Sequence, residues 1–266
     1  MRTVRFELLR PDEIIEERNR CPLAYLPIGP LEWHGPHLPL GTDPLHAEAV
    51  ARGAAEITGG VVLPTFYWGT EMQRSKKMLK NIGFTGDEWI VGMDFPANSM
   101  PSLYATEDVF SIMVREYLRL LVIQGYKFII IVNGHGGENH LRVLDNLAKE
   151  YTAAGECTVM CALVATAGDE TVRDNSGDAG GHATLNETSI ISYLHPESVD
   201  PGLLPPKGEP IRNVDWAIVD GATFNGSPIK DYTVREDPRE AAPEKGRIIT
   251  DKSIRKIVEL INRTVK

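Results

Sequence analysis

The sequence predicts an α/β fold: a single domain over residues 1–266, with a mostly parallel sheet flanked by helices on both faces. Three observations carry that prediction. Residues 127–132 read Lys-Phe-Ile-Ile-Ile-Val, a continuous β-branched run of the kind found in strands buried on both faces. Strand-like and helix-like patterns alternate along most of the chain, which favours a parallel sheet with crossover helices. No internal repeat and no linker-like composition divides the chain, and 266 residues suffice for one large domain.

The elements follow in order. Residues 11–18 form a short helix with Pro11 in its first turn. Residues 23–28 are an apolar strand. Residues 44–58 have helical spacing, with Asp43 and Pro44 as start signals and Gly59-Gly60 as the stop. His46, in the first turn, reads as a helix-surface histidine. Residues 61–66 form a second strand. From 67 to 106 periodicity is lost, and a stretch of that length is usually functional or mobile. A lid, part of a pocket and a subunit contact are all open there, and Trp68 and Trp89 are its candidate substrate-binding residues. Residues 107–124 are an amphipathic helix ended by Gly125, residues 139–154 another helix, and residues 157–166 a further buried strand. Residues 186–194 form a short helix. Residues 196–246, rich in proline and glycine but retaining Trp216, Ile218 and Phe224, read as ordered loop, and residues 248–265 close the chain with a helix.

Composition removes several classes of function. The hydrophobic fraction of 42% and charged fraction of 24% are those of an ordinary globular protein. A formal net charge of -9 argues against nucleic acid as a partner, because phosphate binding needs a basic face. Lys76, Lys77 and Lys80 make the densest basic patch and read as a solvated face. Three cysteines, Cys21, Cys157 and Cys161, show neither zinc-finger nor redox spacing. The last two lie in an apolar run and read as buried and inert. Neither a signal-peptide core nor a segment of transmembrane length is present, so the expectation is a cytoplasmic protein without membrane contact.

The chemistry concentrates in three clusters. The first, residues 26–43, packs Glu32, His34, His37 and Asp43 among prolines and glycines just after the first strand. Glu32 and His34 are two apart, so on extended backbone they project to one side while Trp33 faces away. Carboxylate and imidazole donors gathered at a strand's end suit Zn²⁺ or Mn²⁺. Taken singly, Asp43 reads as a helix cap and His34 as a surface histidine, and only together with the other two clusters do they read as ligands. The second cluster, Asn133-Gly134-His135-Gly136-Gly137-Glu138-Asn139-His140, follows the most buried strand, where loops of parallel α/β sheets carry their sites. His135 is its best ligand. Glu138 reads as a further ligand, a base or a first-turn carboxylate, and His140 as a helix-surface residue. The third holds Asp178, His182, Asn186 and Glu187. Glu187 reads either as a carboxylate favoured by a helix N-terminus or as part of the site, with His182 transferring protons to a leaving group.

Three segments, Glu32-Trp33-His34 through Asp43, Asn133-Gly134-His135-Gly136-Gly137, and His182 through Glu187-Thr188-Ser189, together resemble the creatininase (creatinine amidohydrolase) family in order and spacing, over roughly residues 20–195. The resemblance implies an α/β metal-dependent hydrolase with two divalent ions, Zn²⁺ and/or Mn²⁺. It implies Glu32 and His135 on one ion, His34 on the other and Asp43 bridging both. It also implies a homo-oligomer, a hexamer by family habit. Two departures stand out. Trp33 replaces the family's glutamine, and Gly137 stands where creatininase proper has a ligand glutamate. The fifth ligand therefore lies between Glu138 and Glu187, with Glu187 favoured.

The chemistry expected from the resemblance is attack of a metal-activated water on a small ring, a cyclic amide first, with His182 protonating the departing group. Opening of a cyclic diketone derived from inositol by carbon–carbon cleavage is the alternative. Deformylation of a pyrimidine nucleotide is disfavoured by the acidic surface and the lack of a phosphate-binding glycine loop. The rival from another class is a non-catalytic metal or small-molecule binding protein.

Overall fold

Four parallel strands form the centre of the described chain: β1 (Leu23–Ile28), β2 (Val61–Val62), β3 (Phe128–Asn133) and β4 (Thr158–Leu163), in the order β2-β1-β3-β4. The computed structural model describes residues 2–81, 84–96, 98–164, 182–207 and 237–265. Seven α-helices accompany the sheet among these residues. They are α1 (Pro11–Arg20), α2 (Thr42–Thr58), α3 (Lys76–Asn81), α4 (Glu107–Ile123), α5 (Glu138–Ala153), α6 (Leu185–Leu194) and α7 (Pro243–Thr264). The result is one α/β domain with helices on both faces of the sheet.

Side chains of successive strand residues point to opposite faces, and the core divides accordingly. Ala24, Leu26, Ile28, Ile129 and Ile131 pack with Phe110, Val114 and Leu118 of α4 and Leu144 and Leu147 of α5. Leu23, Tyr25, Ile130 and Val132 pack on the other face with Ala47, Val50, Ala51 and Ala54 of α2 and Ile257 and Ile261 of α7. Ile129, Ile130, Ile131 and Val132 are all fully buried. Each such burial stabilises the fold by about 1.5–3 kcal/mol, which makes β3 the spine of the molecule.

Register sets the height of the site. Ile28 pairs with Asn133 and Asn133 with Leu163, so β1, β3 and β4 end level. The second strand is shorter than the sequence pattern indicates. Pro64 has no N–H to give the ladder, yet pairing resumes, with the N–H of Phe66 donating to the Pro27 carbonyl and an isolated bridge joining Ile28 to Phe66. The 67–106 excursion is tied back onto the first cluster. The Leu103 N–H donates to the Leu31 carbonyl at 2.8 Å, and the Trp33 N–H to Ser102 Oγ at 2.9 Å.

Two surface assignments are corrected. His46 is buried, and burial lowers its pKa to about 4. His140 is fully buried, with the Phe110 ring stacked on it at 4.5 Å. Cys157 is buried and Cys161 half-buried, and burial pushes their thiols up to about 11 and about 12, so both stay protonated and unreactive. The expected end of the fourth strand at 165–166, residues 177–181 ahead of His182, and the loop bearing Trp216, Ile218 and Phe224 lie outside the described residues.

Candidate metal centre

From β1 the chain leaves to β2 on one side and returns to β3 on the other, so the strand order reverses between β1 and β3. In open α/β sheets the crevice beyond the strand ends at such a switch point is where ligands bind. Glu32 and His34 follow β1 there, His135 follows β3, Asp43 lies in the first turn of α2, and Glu187 in the first turn of α6. Asp43 is not the helix cap, a position held by Gly41. The side chain of Asp43 instead meets two histidines. Gly134 makes this approach possible, since a Cβ there would lie 2.2 Å from the Asp43 carbonyl oxygen.

Three groups result, each with donor atoms mutually within 4.8 Å: Glu32, Asp43 and His135; His34, Asp43 and Glu187; and Glu32, His34 and His182. Asp43 belongs to the first two. Its Oδ2 lies 3.1 Å from His135 Nδ1 and its Oδ1 3.2 Å from His34 Nε2. Glu32 Oε2 is also 3.1 Å from His135 Nδ1, and Glu187 Oε1 is 3.9 Å from His34 Nε2. The His34 Nδ1–H donates to the Glu32 carbonyl at 3.0 Å, which turns Nε2 towards the carboxylates. That buried nitrogen makes no hydrogen bond.

Electrostatics shows what such a centre lacks. Burial alone would lower the His34 pKa, but Asp43, Glu187 and Glu32 carry it up to about 10. Burial would raise Glu32, yet His135 and His182 bring it down to about 2. Glu187, pushed up by burial, reaches about 7. Against the effect of burial in each case, Asp43 is driven low by His34 and then His135, and His135 is driven high by Glu32 and then Asp43. Two buried carboxylates and the half-buried Glu187 around the His34 imidazole call for positive charge, supplied by protons or by metal ions. Oxygen and nitrogen donors of this kind suit divalent zinc or manganese, so the residues fit a metal.

His182 sits beside this set. Its ring lies 4.0 Å from that of His34, and its Nε2–H donates to the Trp33 carbonyl. Nδ1 therefore carries the lone pair, 3.9 Å from Glu32 Oε2. Burial, then the neighbouring His34, lowers the His182 pKa to about 4. Ala183 adopts a left-handed φ of 56°, and its N–H donates to Glu187 Oε2 at 2.5 Å. This strained residue, at roughly 1 kcal/mol, turns His182 and Glu187 towards the same centre.

Glu138 stands apart from these groups. It is the exposed first residue of α5 and joins none of the three groups. Trp89 is 77% exposed and Trp68 43% exposed, the latter stacked on Phe66, so both lie at the surface. His37 turns instead to Thr188 Oγ1 at 2.9 Å. Sequence reasoning missed Glu71, whose Oε2 is 3.5 Å from His135 Nε2, and Tyr104, whose hydroxyl donates to Glu32 Oε1 at 2.5 Å. It also missed what Asn133 and His140 do. Asn133 Oδ1 accepts from the His135 N–H, its Nδ2 donates to the His135 carbonyl, and the His140 ring buttresses Oδ1.

A parallel α/β domain with a buried carboxylate–histidine centre at its switch point defines the class. A family model described as creatinine amidohydrolase matches residues 7–261, and the chain belongs to the creatininase family, with the hydrolase fold of that family. The solved creatinine amidohydrolase (creatininase) has a similar fold, with a TM-score of 0.68 at 22% identity over 99% of this chain and 98% of that one. A manganese creatininase gives 0.67 at 22%, covering 98% of each chain. A mutant creatininase of zinc–zinc type gives 0.67 at 23%, over 99% and 98%. Among curated proteins, the mycofactocin precursor peptide peptidase of Mycolicibacterium smegmatis is 28% identical over 68% of this chain. The match spans only 61% of that protein's length. The protein of the same name from Mycobacterium ulcerans is 26% identical, over 91% of this chain and 85% of its own. Among the described residues no helix is long and apolar enough to cross a membrane.

Proposed function

We propose that the protein is a metal-dependent amidohydrolase that cleaves a C–N amide bond, in a small cyclic substrate first. The observation that carries this reading is the pair of three-donor groups sharing Asp43, with the lone pair of His182 beside them. Glu32, Asp43 and His135 would hold one divalent ion, and His34, Asp43 and Glu187 the other. Zinc or manganese bound there would acidify water and polarise a carbonyl oxygen.

The chain's own residues supply the rest. His182 is neutral at pH 7 and offers Nδ1 as a base, because Nε2–H is committed to the Trp33 carbonyl. A proton taken by Nδ1 makes His182 a strong acid, suited to delivering that proton to a departing amide nitrogen. A departing nitrogen needs such protonation, as does the carbon released in carbon–carbon cleavage, so the preference for an amide rests on the creatinine amidohydrolase family match. A second reading is a peptide amide, favoured by the activity for which the curated relatives are named. Water addition and nitrogen protonation are the same in both.

The test is turnover by protein stripped with chelator and reloaded with Zn²⁺ or Mn²⁺. Creatinine-like lactams and short peptides are the amide substrates, and keto-inositols the carbon–carbon control. Amide turnover that disappears on chelation and returns with metal is the expected result. Turnover of keto-inositols alone would remove the amide assignment, and turnover indifferent to chelation would remove the metal.

A further inference from the structure

We propose that Glu71 and Tyr104 are positioning residues for one of the two ion positions, the one formed by Glu32, Asp43 and His135. This rests on the two-ion reading above. His135 presents its two ring nitrogens to different surroundings. Nδ1 faces Glu32 Oε2 and Asp43 Oδ2, each at 3.1 Å, and Nε2 faces Glu71 Oε2 at 3.5 Å. Both side chains of the latter pair are 5% exposed, and no other partner satisfies Nε2. An ion bound at Nδ1 requires the ring proton on Nε2, and the Glu71 carboxylate is the acceptor that faces it. Histidine ligands ordinarily have such a partner, which fixes both tautomer and ring orientation.

The surroundings are shaped for this pair. Glu71 Oε1 accepts from the Met72 N–H at 2.7 Å, which leaves Oε2 turned to the imidazole. A Cβ at Gly137 would lie 2.5 Å from His135 Nε2 and 2.8 Å from Glu71 Oε2, so a side chain there would displace the pair. Tyr104 treats Glu32 in the same way. Its hydroxyl accepts from the Met93 N–H at 3.2 Å and donates to Glu32 Oε1 at 2.5 Å, leaving Oε2 for the ion position. Both residues come from the 67–106 excursion, which thereby serves one ion position. Neither joins the group of His34, Asp43 and Glu187.

Zinc affinity measured by competition with a chromophoric chelator tests this directly, with cobalt absorption as a second readout. Wild-type protein binds two equivalents. Glu71→Ala weakens one equivalent roughly 10–100-fold and leaves the other unchanged. Glu71→Gln, whose amide oxygen still accepts from Nε2–H, falls between wild type and Glu71→Ala. Tyr104→Phe weakens the same equivalent, and the cobalt spectrum changes for one ion only. Circular dichroism confirms that each variant folds, and a fold-level defect would weaken both ions alike. Both equivalents unchanged in Glu71→Ala, or both weakened together, overturns the assignment. Wild-type protein that binds no metal overturns this proposal and the two-ion reading together, whereas two wild-type equivalents with Glu71→Ala unaltered overturns this one alone.

Discussion

His34 shows how little freedom the centre allows. Its Nδ1–H is committed to the Glu32 carbonyl, so Nε2 is held facing the carboxylates, where it carries either a proton or an ion. Such an arrangement costs free energy unless a cation completes it. His182 is fixed just as firmly but at the opposite nitrogen, through the Trp33 carbonyl. Its Nδ1 is left free beside the donor groups, and His182 is proposed as the proton carrier of the site. His182→Ala is expected to retain both metal equivalents while kcat on an amide substrate falls roughly 10²–10⁴-fold, measured at saturating substrate with metal content determined in parallel. Loss of metal together with activity would make His182 a ligand instead.

At the scale of elements, long periodic segments were the legible part. The β-branched run at 127–132 announces β3, and apolar spacing announces α4 and α5, because burial imposes a period on those residues. Glu32, His34, Asp43, His135, His182 and Glu187 could be singled out because they stand in short glycine- and proline-rich segments after strands. Glu71 and Tyr104 could not, since they lie in the aperiodic excursion and reach the centre only through tertiary contacts. His140 misleads for a related reason. A lone histidine on a helix carries no burial signal, and its burial is made tolerable by the Thr70 N–H donating to Nδ1 and by Nε2–H donating to Asn133. Phe110 of α4 covers that histidine and is itself fully buried. Phe110→Ala is expected to destabilise the protein by roughly 3–5 kcal/mol in urea denaturation. A loss below about 1 kcal/mol would mean that α4 does not anchor this side of the sheet.

On the scale of the whole molecule, topology places the chemistry. Strand order β2-β1-β3-β4 opens a crevice between β1 and β3, and level strand ends bring Glu32 and His135 to one height. Helices α2 and α6 then add Asp43 and Glu187 from their first turns. In the proposed two-ion arrangement Asp43 is the residue shared by both ion positions, Glu32–Asp43–His135 and His34–Asp43–Glu187. The most direct measurement is therefore the number of zinc ions bound by wild-type protein and by His34→Ala, His135→Ala and Asp43→Ala, each checked for native fold. Two ions in the wild type, one in each histidine variant and none held tightly by Asp43→Ala is the predicted pattern. A wild type that saturates at one ion, or an Asp43→Ala protein that keeps an ion at wild-type affinity, would contradict it.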